Sequence, residues 1–233
     1  MAWEVKITGA PSDLRLLAEA FGNPERTIVE RESEFFLGGT DFDHLDDAVA
    51  VRDKAREVIS SVSGASRLFL GAKRPLEVDQ VVRVDEEGRR HPTVFPGPAV
   101  LTLCVPPISL SVTRADGTVE RHLPADPVVA AAHRASGSEA VRKVLRLRDR
   151  DELVWVNLTV IAEVIQADGF KLSRPDQDDL NRLTSSANHP EVAGDLALHG
   201  APSWDPPPEH KRMKLREARA LIDRIIRDWL ASR

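Results

Sequence analysis

The sequence contains one cysteine and no long apolar run, and each shortage excludes a class of protein. A single thiol, Cys104, cannot form an internal disulfide framework, which fits a reducing compartment. It lies in the apolar run 99–105, where we expect a core strand rather than a reactive nucleophile. A membrane-spanning helix needs about 20 apolar residues, and no segment provides them. Residues 1–6 lack the pattern of a signal peptide, so we expect a cytoplasmic protein with no membrane partner.

Positive charge is not in excess either. The formal net charge is -5, which argues against a dedicated nucleic-acid binder. The most basic stretch, from Arg134 to Arg150, contains no aromatic residues on which bases could stack. We interpret it as the solvated face of a helix, with which acidic residues further on could pair: Asp176, Asp178 and Asp179. Nucleic acid is therefore a partner that the sequence allows but does not favour.

Motifs for metal, phosphate or cofactor chemistry are also missing. The histidines are scattered, and the sequence has no His-x-x-x-His or Cys-x-x-Cys pair. There is no P-loop, dinucleotide fingerprint or Gly-x-Ser-x-Gly turn. The acidic residues between Asp41 and Asp47 fit the start of a helix, with Asp43 as its N-cap, better than a metal site. We expect no metal and no cofactor.

Residues 1–124 have the pattern of short strands combined with two helices. Residues 3–7 alternate between apolar and charged side chains, as in a half-buried strand. Ser12 or Asp13 can cap a first helix, and the apolar stripe within residues 45–62 predicts a second one. We therefore predict a first domain with a mostly antiparallel or mixed sheet and two helices.

The pattern changes near residue 124, just after a strong hairpin signal at Asp116-Gly117. Prolines mark the crossing, and residues 125–233 then show only helical periodicity. The predicted fold class is thus α+β, with an α+β sheet domain over residues 1–124 and an all-α bundle over residues 125–233.

The last predicted helix, from Glu209 or Lys214 to Leu230, has apolar residues at alternating steps of three and four. Such a stripe is typical of a helix that packs along a bundle or on another subunit. It makes this helix the predicted site of binding to another protein or of self-association.

Four residues of the second part are candidate binding residues. Asn157 falls on the apolar face of the predicted helix 151–168, where an unpartnered amide would cost about 1–3 kcal/mol. It is either a structural bridge to a neighbouring helix or loop, which we favour, or part of a polar site. Asn188 is placed as a helix C-cap. His199 and Trp204 accompany a proline-rich loop, where a Trp either packs back on the protein or marks a binding surface.

Arg182 and His189 form the one constellation that suggests an enzyme. Both fall on or next to one helix and off its apolar face, and we expect His189 to be exposed at the helix end. An Arg followed by a His at short helical spacing in an all-α domain resembles the catalytic pair of HEPN-type ribonucleases. The resemblance implies that His189 acts in acid–base chemistry and that Arg182 stabilises charge at the scissile phosphate, without a metal. Asn188 and His199 would complete that site if they lie close to the pair.

The lack of catalytic motifs favours a soluble, bacterial-type protein that acts as a non-enzymatic interaction or adaptor module through its helical part. The alternative is a metal-independent HEPN-like ribonuclease that uses Arg182 and His189. Both hypotheses place the function in residues 125–233.

Overall fold

The computed structural model describes residues 2–94, 110–113 and 119–233, and it is an α+β protein, as predicted. An antiparallel sheet with helices comes first, and a helical region follows. The chain separates into two compact units, Met1–Gly137 and Ser138–Arg233, hereafter unit 1 and unit 2.

The main sheet of unit 1 has six strands within the described residues. They are β1 (Ala2–Thr8), β2 (Gly22–Asn23), β3 (Arg26–Arg31), β4 (Glu34–Gly38), β5 (Glu77–Val84) and β6 (Arg90–Val94). The order across the sheet is β2-β3-β4-β1-β5-β6, and every neighbouring pair is antiparallel. The mostly antiparallel sheet is therefore confirmed.

The helices of unit 1 are α1 (Pro11–Ala20), α2 (Ala48–Phe69) and α3 (Asp126–Gly137). Helix α1 packs on β3, and α2 packs on β5 and β1. Val5 pairs with Leu37 on one side and with Val81 on the other, and all three side chains are fully buried. The alternation that predicted a half-buried β1 thus produces one apolar row across three strands.

The division between the units falls one helix later than the change of pattern predicted at residue 124. Helix α3 packs against α2 and α1, which belong to unit 1. Its apolar side chains are buried, namely Val128, Ala131, Ala132 and Ala135. The sequence pattern marks where strands end, whereas the packing of α3 decides to which unit it belongs.

The start of α1 differs from the prediction of a Ser12 or Asp13 cap. Helix α1 begins at Pro11, and the residue before it, Ala10, has no capping side chain. Proline suits the first helical position because its φ is already helical and its missing N–H would be unpaired there.

The acidic residues ahead of α2 do supply its cap, but the cap is Asp47 and not Asp43. Its carboxylate accepts hydrogen bonds from the backbone N–H groups of Val49, at 2.8 Å, and Ala50, at 2.9 Å. Asp43 instead ends a short 3-10 turn, Thr40–Phe42. The prediction that an acidic residue caps this helix was correct. The capping residue is Asp47 instead of Asp43, because the 3-10 turn makes the helix begin later.

Cys104 and Asp116-Gly117 lie outside the described residues. The strands that flank Asp116-Gly117, β7 (Leu110–Thr113) and β8 (Val119–His122), pair antiparallel in a separate two-stranded sheet. This pairing is the one that the hairpin signal predicted.

Asp85 organises the turn between β5 and β6. Its carboxylate accepts from the backbone N–H groups of Glu87, at 3.1 Å, and Arg89, at 2.8 Å. The Arg89 guanidinium reaches the same carboxylate at 2.8 Å, and His91 Nε2 lies 3.0 Å from it. The hydrogen bond with His91, followed by those from Arg89, lowers the pKa of Asp85 to about 2.

We expect Asp85 to stabilise this hairpin at neutral pH and to lose that effect in acid. Because the folded pKa is below the unfolded value of about 3.9, the contribution is fully present above pH 4 and disappears as the pH falls towards 2. A carboxyl-carbon NMR titration should place the Asp85 midpoint near 2. The variant His91→Asn should raise that midpoint, and a wild-type midpoint near 4 would contradict the assignment.

Unit 2 is entirely helical. Its helices are α4 (Glu139–Arg148), α5 (Trp155–Ala167), α6 (Arg174–Asn188), α7 (Pro190–Ala193) and α8 (Leu215–Ala231). Helix α5 packs on α4, α6 and α8, and α8 also packs on α6. Short 3-10 turns cover Gly194–Leu196 and Glu209–Lys211. Within the part of the chain that the structure describes, no helix combines the length and hydropathy that crossing a membrane requires.

Two helix starts in unit 2 show one case in which local signals are sufficient and one in which they are not. Ser138 caps α4 through a hydrogen bond from Val141 N–H to its hydroxyl, at 3.4 Å, a role that serine favours directly before a helix. Helix α5, in contrast, begins at Trp155 and not at Asp151. The carbonyl oxygen of Leu153 accepts instead from Arg219 Nε of α8, at 2.8 Å. A contact with α8 therefore replaces the helical turn that was predicted to begin at Asp151.

Candidate functional site

The predicted site residues are concentrated at one end of α6 and in the segment that follows it. Arg182 and Asn188 lie on α6, His189 follows it directly, and His199 and Trp204 lie in the segment before α8. Asn157 is the exception, because it lies on α5.

Asn157 is buried, as predicted, with 6% of its surface exposed. Its Oδ1 accepts a hydrogen bond from the backbone N–H of Val154, at 3.3 Å. This bond satisfies one of the free N–H groups at the start of α5. The structure thus gives Asn157 a local role in its own helix, and this bond is not the predicted bridge to a neighbouring helix or loop.

His189 is not the exposed end residue that the sequence predicted, since only 7% of it is exposed. It follows the last residue of α6, Asn188, so His189 and not Asn188 is the C-cap. It also caps α7, because its Nδ1 accepts from the backbone N–H of Glu191, at 3.2 Å. Helix α7 begins at Pro190 and packs against α6, which encloses the ring.

Arg182 is already paired. One guanidinium nitrogen donates to Asp179 of the same helix, at 3.0 Å, and another donates to the carbonyl oxygen of Arg212, at 3.4 Å. Arg212 in turn binds the carboxylate of Glu191, at 3.2 Å. Arg182 and His189 therefore belong to one connected set of contacts through Arg212 and Glu191. This set holds the end of α6 and the segment before α8 together.

The sequence suggested that the acidic residues of α6 could pair with the basic run, but Asp176 and Asp179 have other partners. Asp176 binds Arg224 of α8, and the Ser173 hydroxyl, followed by Arg224, lowers the pKa of its carboxyl. Asp179 binds Arg182 and lies 3.8 Å from Arg224. The packing of α6 on α8 brings Arg224 closer in space than the residues of the basic run.

Trp204 is the large aromatic residue that unit 2 leaves exposed. About half of it is exposed (49%), whereas Trp155 and Trp229 are buried. The ring stands nearly perpendicular to that of His199, at 80°, with the centroids 5.3 Å apart. This edge-to-face contact is a favourable arrangement for two aromatic rings and orients the indole.

Two exposed leucines lie shortly before Trp204 in the sequence. Leu196 is 51% exposed and Leu198 is 36% exposed. The backbone N–H of Leu198 donates to the carbonyl oxygen of Ala187 on α6, at 2.9 Å, which fixes this segment to the unit. We call Leu196, Leu198, His199 and Trp204 the Trp204 surface. Neither leucine was predicted as a site residue, because no local pattern in this segment shows which side chains stay exposed.

Comparison with known proteins finds no matching family model, no matching curated protein and no matching solved structure. Within the described ranges, no group of three or more His, Cys, Asp or Glu side chains could hold a metal ion. The fold and the Trp204 surface therefore describe only a class of protein. It is an α+β protein whose second unit is helical and exposes an oriented tryptophan.

Proposed function

We propose that the protein is a non-enzymatic interaction module and that the Trp204 surface binds a partner protein. The observation that carries the proposal is the concentration of exposed apolar side chains in one segment of the chain, residues 196–204. Five large apolar side chains are exposed in the described part of the chain: Val49, Val156, Leu196, Leu198 and Trp204. Three of the five belong to the Trp204 surface. Scattered exposed apolar residues are ordinary, whereas a concentration of them is typical of a binding surface.

The chemistry of this surface suits a partner that presents apolar side chains. Tryptophan is enriched among the residues that contribute most to protein interfaces. Its indole is already oriented by His199, so binding would restrict few additional torsions. The prolines on both sides, Pro202 and Pro206, restrict the backbone of the loop in the same way.

The proposal places binding on this loop and not on the last helix. Helix α8 has an apolar face on which seven side chains are buried in unit 2: Ala218, Leu221, Ile222, Ile225, Ile226, Trp229 and Leu230. Since α8 packs on α5 and α6, this face is already covered. Self-association through α8 would have to use its charged face.

The metal-independent ribonuclease stays an alternative prediction. What favours it is that Arg182 and His189 share one set of contacts through Arg212 and Glu191. Acid–base chemistry by His189 would have to use Nε2, because Nδ1 accepts the Glu191 N–H. Its substrate would also have to reach a ring that is nearly enclosed, which is why we favour the interaction module.

The proposal is tested by photo-crosslinking in the cells that produce the protein. A photoreactive phenylalanine at position 204 should crosslink one partner protein, identified by mass spectrometry. The matched control carries the photoreactive phenylalanine at position 156, because Val156 on α5 is similarly exposed. This control should not crosslink the partner protein. With both proteins purified, Trp204→Ala should weaken binding by about 30-fold, the size expected for an interface tryptophan.

Three outcomes would contradict the proposal. Equal crosslinking from positions 156 and 204 would show an unspecific surface. A crosslinked dimer of the chain alone would replace the partner protein with a second copy. Degradation of an RNA pool by the purified protein, abolished by His189→Ala with unchanged melting, would establish the ribonuclease instead.

A further inference from the structure

Helix α4 exposes a row of basic side chains. Lys143 and Arg146 are exposed on one side of the helix, and Arg150 is exposed in the turn that follows. The backbone at Asp149 keeps helical angles, with φ -71° and ψ -13°, so the turn nearly continues the helix. Positions three and four apart share a helix face. We call Lys143, Arg146 and Arg150 the α4 basic row.

The other two cations of α4, Arg142 and Arg148, form ion pairs. Arg148 makes two hydrogen bonds to Asp223 of α8, at 2.7 and 3.1 Å. Arg142 donates to Glu139, at 2.9 Å. The three residues of the α4 basic row have no ion pair with any side chain in the described ranges. The packing therefore sorts the basic run into side chains that hold unit 2 together and side chains that face solvent.

The opposite side of α4 leaves no apolar face that could insert into a lipid surface. Val141, Val144 and Leu145 are fully buried in the unit. A helix that lies in a membrane interface needs an exposed apolar face to insert, and α4 has used its own for packing. The exposed side chains of α4 are Glu139, which pairs with Arg142, and the cations of the α4 basic row, with no aromatic residue among them. Such cations attract phosphate groups but provide no stacking for bases.

We propose that the α4 basic row binds the phosphate backbone of nucleic acid without reading its sequence. With a rise of 1.5 Å per residue, the row extends over about 10 Å. The long Lys and Arg side chains allow three cations on this length to contact neighbouring phosphates of one strand. This surface is separate from the Trp204 surface, and the inference does not depend on the proposed protein partner.

The test measures binding of the full chain by fluorescence anisotropy. The probes are a labelled single-stranded RNA and a labelled DNA duplex of mixed sequence, which carry the same phosphate chemistry. Three phosphate contacts predict a slope of log K against log salt of about -2 for the single strand and about -2.7 for the duplex. Raising the salt from 50 to 200 mM should then weaken binding by about 20-fold for the strand and about 40-fold for the duplex. The comparison also shows which of the two is bound more tightly.

The variant Lys143→Gln/Arg146→Gln/Arg150→Gln should lose this binding and flatten the slope. Its matched control, Lys171→Gln/Arg174→Gln/Lys211→Gln, removes three other exposed positive charges of unit 2. The control should keep both the nucleic-acid binding and the salt dependence of the wild type. Circular dichroism melting confirms that both variants are folded.

Equal losses in the two variants would overturn the proposal, because net charge alone would then explain the binding. Absence of binding to both probes at 50 mM salt would also overturn it. Tighter binding to polyglutamate than to either nucleic acid would identify an acidic protein as the occupant and would equally overturn it. Photo-crosslinking from position 204 is read separately, so the two proposals fail independently.

Discussion

Replacement of Gly39 by alanine should destabilise unit 1 by about 4 kcal/mol, through backbone strain and overpacking together. Gly39 has a φ of 129°, a backbone conformation that residues with a side chain rarely adopt. A Cβ atom there would lie 2.3 Å from the carbonyl oxygen of Glu25 and 2.9 Å from the Cα of Arg26. Both atoms belong to the backbone at the start of β3, and the Arg26 side chain is held by Asp41, at 2.6 Å. Rotation of a side chain cannot relieve the contact.

Urea unfolding followed by circular dichroism measures this effect, with Gly38→Ala as the matched control. A Cβ atom at Gly38 would meet the Thr27 hydroxyl at 3.3 Å, and that side chain can rotate away. We expect a loss below about 1 kcal/mol for the control, which is ordinary for a substitution that causes little strain. Equal losses at the two positions would mean that Gly39 is not held against the Glu25 carbonyl.

Replacement of Trp229 by alanine should destabilise unit 2 by about 4 kcal/mol, the usual cost of emptying a buried aromatic site. The ring is 1% exposed on the inner face of α8. Its Nε1 donates to Asp168 at the end of α5, at 2.9 Å. The guanidinium of Arg233 lies 4.9 Å from the ring centroid and pairs with the same carboxylate. The substitution would remove packing, a hydrogen bond and a cation–π contact together.

Two further variants are measured in the same urea unfolding experiment. One separates the contributions at Trp229, and the other compares them with the loss of an exposed tryptophan. Trp229→Phe keeps most of the packing and loses the indole N–H, so it should cost about 1–2 kcal/mol. Trp204→Ala removes the half-exposed indole and should change stability by less than about 0.5 kcal/mol. A large loss from Trp204→Ala would show that its role is structural, which would argue against the Trp204 surface as a binding site.

The fold class was predictable because its signals are local. The alternation within residues 3–7 follows from the period of a strand, and the apolar stripe of α2 follows from the period of a helix. The Ser138 cap needs only its own first turn. The Asp47 cap and the late start of α5 were missed because each depends on another segment, a 3-10 turn in one case and Arg219 of α8 in the other.

The candidate site was predictable only as a region. The sequence directed attention to Trp204 and to the end of α6, because a tryptophan in a proline-rich loop and a helix that stops before proline are both local features. It could not show that His189 is enclosed, since that depends on α7 packing against α6. It also could not sort the basic run, because the partner of Arg148 is Asp223, far along the chain.

By itself, the sequence determined the α+β class, the change from strands to helices and the burial of Asn157, since each follows from the periodicity of a short segment. Only the tertiary structure decided which polar and aromatic groups stay exposed. Arg182, His189 and Arg148 find partners within the unit, whereas Trp204 and the α4 basic row remain at the surface. The physical reason is that exposure and pairing depend on contacts between segments distant in the chain, and no local pattern encodes them.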